Sequence, residues 1–380
     1  MLATLHRFAL AVERVVDRLR PRRRADPVID PYLGYATPGA LIARGRVLSA
    51  LRRTSPEPGG GRLATFAQMV GLFLTAEVGG ARVVASRVDA GRDAIDGGRA
   101  IAAADDGHAA SGAAGSAAAG SEEGAVATGD GEGAVASNGE EGAATSDEEG
   151  YVTLRLPRPE GVVGWVGVDA RVEGAPASET RLRVLVPEPR APAMAISDID
   201  DTVMRTGAWS LALNLWTSLT SSAQEREIYA DAAATLTRLA EAGCPIYYVS
   251  SSPWNLRAFL AQVFERAGVP EGPMFLRDFG LSEGKFVTEG HGSHKGEAID
   301  LLMAANPDLP VLLFGDVGQE DPAVYADAVE RWPGRVRAVV LREPRPGLAD
   351  DDRPALARLR ASGVAVHVTE DFAAVAGLLA

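Results

Sequence analysis

Residues 195–207 read "AISDIDDTVMRTG", an apolar run that ends in Asp198, Asp200 and Asp201. Like charges this close repel, so a fold that gathers them usually has a cation or a proton to hold there. The remainder of the chain accounts for the placement. Beyond residue 194 apolar runs alternate with helical stretches: MAISDID and a helix ending near Ala242, PIYYVSS and a helix from Asn255, then MFLRDFG. PVLLFGDV and a helix through Val329 come next, then VRAVVLRE and VAVHVTE. This rhythm predicts an α/β fold with a Rossmann-like parallel sheet covered by helices.

In such sheets ligands bind beyond the carboxyl ends of the strands. The first strand ends in Asp198, Ile199, Asp200, Asp201 and Thr202, and the second in Ser250, Ser251 and Ser252. Lys295 opens a helix in "SHKGEAID", and PVLLF runs into Gly315 and Asp316, with Asp321 shortly after. Together these residues compose a phosphoryl-transfer site. Asp198 can attack phosphorus, dividing one hard displacement into two easier ones through an aspartyl phosphate. Asp200 can protonate the leaving oxygen and later take a proton from water. A magnesium ion held by Asp198, Asp316 and the backbone carbonyl of Asp200 would offset the crowding of carboxylates. The Ser250 hydroxyl and Lys295 ammonium would bind the remaining phosphate oxygens. Thr202, Ser251 and His294, beside these groups, are the further candidate substrate contacts; Asp201 and Thr202 read equally well as helix caps.

Lysine usage adds a separate argument. The chain has 36 arginines and only two lysines, Lys285 and Lys295. A sequence that writes its cations as arginine keeps lysine where a compact ammonium fits and a planar fork does not. Lys285 reads as a solvated surface charge.

The first half of the chain has a different grammar. ALIARGRVL (40–48), ARVVAS (81–86), YVTLRL (151–156), GWVGVDARV (164–172) and RLRVLV (181–186) are short β-type runs. Phe66, Met69, Val70, Phe73 and Leu74 have helical spacing between the first two. Residues 28–187 therefore read as a β-rich domain, 188–194 as a proline-stiffened linker and 195–380 as the α/β domain. Residues 91–150 collapse to Gly, Ala, Ser, Asp and Glu and read as a disordered insert, with three nine-residue near-repeats around Gly124, Gly133 and Gly142. In residues 1–27, Leu5, Phe8, Val12, Val15, Val16 and Leu19 share one helical face beside a basic cluster. That helix suits either a membrane surface or docking on its own domain.

The net charge of the 380 residues is −13, but eleven acids and no lysine or arginine lie in residues 101–150. The acidity belongs to that segment, and no nucleic-acid partner is expected. One cysteine, Cys244, excludes an internal disulfide and fits a reducing compartment. No apolar run is long enough to span a bilayer. A cytoplasmic protein, peripheral at the membrane if the N-terminal helix engages lipid, is the expectation. Its oligomeric state is open.

The order of acid pair, serine, lysine and Gly-Asp resembles the four-motif signature of the haloacid dehalogenase superfamily. More narrowly, "DIDDT", "YYVSSSPWNL", "LRDFG", "HK" and "GDVGQEDP" resemble the catalytic domain of the actin-patch-protein type of phosphatidate phosphatase, distantly related to the lipins. "DPYLGYATP" and "ARGRVL" are similar to the N-terminal region of bacterial members. The resemblance implies Asp198 as nucleophile, Asp200 as acid/base, Ser250 and Lys295 as phosphate ligands, Asp316 as metal ligand and Asp321 as support of the metal site. Val317 stands where the family more often has a small hydroxyl residue, and "VMRTG" replaces a lysine-containing stretch. "GAWSLALNLWTSL" comes after the catalytic loop where the superfamily often places a cap. Its Trp209, Leu213 and Trp216 suit either an acyl chain or ordinary core packing. The leading expectation is a magnesium-dependent phosphomonoesterase acting on phosphatidate or a related lipid phosphate. The alternatives are a phosphatase of a soluble monoester and a catalytically idle binding or regulatory module.

Overall fold

The structure, a computed structural model, describes residues 26–49, 77–87, 141–206, 227–277, 291–343, 352–375 and 377. The expected N-terminal helix, the helical spacing at 66–74, most of the insert and the aromatic stretch 207–219 lie outside these residues.

Two sheets organise the chain. The first has seven strands: β1 (Val28–Ala36), β2 (Ala40–Leu48), β3 (Arg82–Arg87), β4 (Glu141–Thr145), β5 (Tyr151–Pro157), β6 (Gly164–Val172) and β7 (Ala175–Val186). Their order is β4-β3-β6-β7-β1-β2-β5, antiparallel except where β1 runs parallel to β7. Alternate residues point inward, as Val152, Leu154 and Leu156 do on β5, and fill an interior with Val168, Leu182 and Val184. The end strands β4 and β5 approach each other, so the sheet is barrel-like. A β-carbon on Gly142 of β4 would lie 3.0 Å from the Arg155 carbonyl oxygen of β5.

That strand corrects one expectation. Glu141–Thr145 falls inside the stretch read as disordered, yet it pairs with β3 from Arg82↔Thr145 to Ser86↔Glu141. Its composition, EGAAT, hides a two-residue alternation in which Gly142 and Ala144 are buried. Small side chains are what this close approach to β5 admits. Residues 88–140 lie outside the described residues.

The second sheet is parallel throughout, formed by β8 (Met194–Ser197), β9 (Ile246–Pro253), β10 (Met274–Arg277), β11 (Val311–Asp316), β12 (Val336–Arg342) and β13 (Ala365–Thr369). Their order is β10-β9-β8-β11-β12-β13. Helices α1 (Ala230–Glu241) and α2 (Arg257–Ala267) cover one face, packing on Ala195, Tyr248 and Phe314. The other face carries α3 (His291–Ala305), α4 (Asp321–Arg331) and α5 (Arg353–Ala361), packing on Ile196, Tyr247 and Leu313. Strands buried on both sides read as continuous apolar runs, which is why MAIS, IYYV and VLLF were visible in the sequence. The chain reverses its direction of strand addition at β8 and β11, the kind of switch point at which ligands bind beyond the carboxyl ends of the strands.

The sheets meet along an aromatic and cationic seam. Tyr32 of β1 stacks on Trp254, ring centroids 4.9 Å apart and planes 3° from parallel. Arg44 of β2 donates through Nη2 to the carbonyls of Leu33 and Met274 at 2.8 and 3.0 Å, with its guanidinium 4.3 Å from the Phe275 ring centroid. Burial lowers its pKa to about 10. Arg257 reaches back to Asp30 at 2.9 Å. Tyr35, Ala40 and Ile42 of the first sheet join the apolar cluster under α3 and α4. Among the described residues no helix is long and apolar enough to cross a membrane.

Candidate active site

The switch point gathers the carboxylates. The Asp198 amide donates to the Phe314 carbonyl at 2.8 Å, which locks the end of β8 onto β11 beside Asp316. The loop then turns sharply. Asp201 has φ +57°, in the left-handed region that a short polar side chain tolerates, and its Oδ1 accepts from the Thr206 amide at 2.8 Å. Thr202 Oγ1 donates to Asp198 Oδ2 at 3.1 Å. Asp198, Asp200, Thr202, Ser250, Lys295, Asp316 and Asp321 are all buried.

Lys295, on the first turns of α3, places Nζ 2.9 Å from Asp198 Oδ1 and 2.5 Å from Asp321 Oδ1. Asp321 opens α4, and its Oδ2 accepts from the Asp316 amide at 3.2 Å. Gly315 permits this crossing, since a β-carbon there would sit 2.5 Å from Asp321 Oδ2 and 2.8 Å from the Tyr325 ring. Asp316 accepts from the Gly318 amide through Oδ1 at 2.5 Å and from Gln319 Nε2 through Oδ2 at 3.0 Å. The same Gln319 amide donates to the Asp200 carbonyl at 3.2 Å.

Asp200 itself faces β9. Its Oδ2 accepts from Ser250 Oγ at 2.9 Å and Ser252 Oγ at 2.7 Å, and Ser250 Oγ accepts from the Ser252 amide at 2.9 Å. Ser250 and Ser252 both meet the acid, where the pairing of β9 with β10 shifts register after Ser250. Ser251 was the expected substrate contact, whereas Ser252 is the serine that joins Ser250 on Asp200. Ser250, expected on phosphate, spends its one donor on Asp200 here. His294 is half-buried and precedes Lys295, about 100° round the helix from it. Val317, the departure from the family pattern, is buried in the core rather than turned to the carboxylates.

The electrostatics reproduce the problem posed by the sequence. Burial raises the Asp198 carboxyl well above the usual range; Lys295 opposes the shift, while Asp321 and Asp200 add to it. Asp316 is raised by burial, then by Asp321 and Asp198. Burial alone would lower Lys295, but the fields of Asp198, Asp321 and Asp316 reverse that and keep it protonated. One ammonium therefore faces several buried acids, and the cluster favours a further positive charge. Asp198, Asp316 and Asp321 each present an oxygen within 4.8 Å of the others. Hard oxygen donors at this spacing fit a magnesium ion in kind and number. Asp321 already spends one oxygen on Lys295 and the other on a backbone amide, which suits it to holding its neighbours rather than to first contact with an ion.

Comparison with known proteins agrees with the motif reading. Residues 193–343 match the family model described as "Phosphatidate phosphatase APP1, catalytic domain". An uncharacterized protein of Schizosaccharomyces pombe is 28% identical over 159 residues, covering 39% of this chain and 24% of that protein. Phosphatidate phosphatase APP1 of Saccharomyces cerevisiae is 24% identical over 148 residues, covering 39% of this chain and 25% of the yeast protein. The chain thus spans about a quarter of the length of the curated relatives it matches. The matched region holds the parallel sheet from β8 to β12 and all the carboxylates above, and excludes the barrel-like sheet. Residues 193–343 are thus similar to the catalytic domain of phosphatidate phosphatases of this type.

Proposed function

We propose that the protein is a magnesium-dependent phosphomonoester hydrolase of the haloacid dehalogenase type that acts on phosphatidate or a related lipid phosphate. The observation that carries the reading is the pairing of Asp198, held by Lys295 at 2.9 Å, with Asp200, held by Ser250 and Ser252. One acid is anchored by a cation, which opposes the upward shift that burial imposes on it. The other is oriented by neutral hydroxyls. That division suits a nucleophile and a proton carrier.

In this reading an Asp198 oxygen attacks phosphorus while the bond to the leaving alcohol breaks and Asp200 gives that oxygen its proton. Asp200, now a carboxylate, takes a proton from water as the water oxygen attacks the phosphorus of the aspartyl phosphate, releasing inorganic phosphate and restoring Asp198. Lys295 donates to Asp321 Oδ1 and pairs by charge with Asp198 Oδ1, and it keeps N–H donors to offer a phosphate oxygen. A Ser250 hydroxyl rotated from Asp200 would offer a second. Asp198, Asp316 and the Asp200 carbonyl would hold magnesium, which when bound draws charge from the phosphate oxygens. The lipid substrate is suggested by the name of the yeast relative; peripheral contact with a membrane through residues 1–27 belongs to the same proposal.

The test is phosphate release from p-nitrophenyl phosphate with magnesium and with chelator, and then from phosphatidate in mixed micelles against soluble sugar and nucleotide phosphates. Turnover that needs magnesium, disappears in Asp198→Asn and favours the micellar lipid supports all three parts of the reading. Preference for a soluble monoester removes the lipid, and no release from any monoester removes the enzyme.

A further inference from the structure

Arg342 is a buried cation that the chemistry above does not use. It ends β12 in register with Asp316 and is 1% exposed. All of its guanidinium nitrogens are engaged: Nε donates to the Thr202 carbonyl at 3.1 Å, Nη1 to the Glu370 carbonyl at 2.6 Å and Nη2 to Asp231 Oδ2 at 2.7 Å. The plane is sandwiched between the rings of Tyr229 and Phe372, 4.0 and 4.1 Å from their centroids. Buried, with each nitrogen engaged and a ring on either face, Arg342 acts on the reaction through what it holds.

What it holds is the catalytic loop at one end and the C-terminal segment at the other. Thr202, whose carbonyl it anchors, sends its hydroxyl to the nucleophile Asp198. Tyr229, on one face of the guanidinium, bonds through its amide to the Val203 carbonyl at 2.9 Å. On the far side Asp231 Oδ2 also accepts from the Phe372 amide at 2.7 Å, and the Glu343 amide donates to the Thr369 carbonyl at 2.9 Å. The Phe372 ring packs on Phe314, the residue whose carbonyl receives the Asp198 amide. Residues 369–375 lie outside the matched region 193–343.

We propose that Arg342 and Asp231 are positioning residues which clamp the catalytic loop to the segment 369–375, so that this segment sets the orientation of Asp198. The proposal rests on Asp198 being the nucleophile. A lysine cannot replace the clamp, because one ammonium cannot serve three acceptors in a plane or fill the gap between two rings.

The test uses the full chain carrying Asp231→Asn or Arg342→Lys. Hydrogen exchange is read at the amides of Asp201, Val203 and Met204, which bond within the loop, and steady-state kinetics with p-nitrophenyl phosphate are run where circular dichroism shows each variant fully folded. Exchange at these amides should quicken about tenfold or more. In parallel kcat should fall about tenfold or more with KM little changed, a split that a loss of stability alone does not produce in folded protein. Asp231→Asn keeps the guanidinium and the shape of the acid, so it carries the test if Arg342→Lys does not fold. Unchanged loop exchange in a folded variant overturns the clamp, and so does a loosened loop with undiminished kcat. A wild type without turnover, whose loop still loosens in Asp231→Asn, refutes the phosphatase reading and leaves the clamp standing.

Discussion

Replacing Lys295 by methionine removes the ammonium while keeping most of the side chain's volume. The two oxygens it now neutralises, Asp198 Oδ1 and Asp321 Oδ1, belong to carboxylates that are 1% and 0% exposed. Removing one partner of a buried ion pair costs about 3–5 kcal/mol, because the remaining charge is stranded in a poor solvent. At about 2–4 °C per kcal/mol for a domain of this size, melting should fall by roughly 6–20 °C. The deficit must also depend on pH. Asp198 and Asp316 are already raised by burial, and losing Lys295 removes the charge that opposes the rise. An acid whose folded pKa exceeds its unfolded value of about 3.9 contributes most stability below that value and loses it as pH climbs through the folded pKa. Urea denaturation in EDTA, repeated from pH 5 to pH 8, should therefore show Lys295→Met closest to the wild type at pH 5 and furthest at pH 8. Adding Asp198→Asn should recover part of the loss. A deficit below about 1 kcal/mol that does not change with pH would refute the placement of Lys295 between the two acids.

The same geometry dictates three further outcomes. Ser252→Ala deletes one of two donors to Asp200, a charged hydrogen bond worth about 1.5–3 kcal/mol, so kcat should drop roughly ten- to a hundredfold, whereas Ser251→Ala should change it little. Gly315→Ala drives a β-carbon into Asp321 and Tyr325 and should destabilise by about 1–3 kcal/mol or more by chemical denaturation, with turnover on p-nitrophenyl phosphate lost. Trp254→Ala removes the stack on Tyr32 at the seam and should cost about 3–5 kcal/mol by the same measurement; a cost under 1 kcal/mol would mean the stack is slack.

The parallel sheet was legible because its strands are buried on both faces and its polar residues cluster where strands end. Met194–Ser197 and Val311–Asp316 are uninterrupted apolar runs that break into acids at the switch point, and no other reading of "SDIDD" or "FGDV" is as economical. The first sheet was legible only where alternation was strong. β2 and β6 match their expected bounds, while β1 was missed because Pro31 and Gly34 interrupt it and its pairing shifts between Tyr32 and Tyr35. The first half of β7, APASET, is too polar to announce itself, although Ser178 is buried and bonds the Val172 amide at 2.7 Å. In the site, residue types were readable and partners were not. Nothing in a linear sequence says that the Ser250 hydroxyl faces Asp200, or that Gln319 bridges the Asp200 carbonyl and Asp316, since each contact joins segments far apart in the chain.

The stack of Tyr32 on Trp254 has a bearing on how such a chain is inherited. Trp254 comes two positions after Ser252, so the segment that delivers the hydroxyls to Asp200 runs on into the surface on which the barrel leans. Severing the chain at the prolines of 187–193 would strip that indole of its cover and leave Arg257 without Asp30. A new neighbour for the α/β half would have to bring its own aromatic and acidic groups to the same edge to keep these contacts.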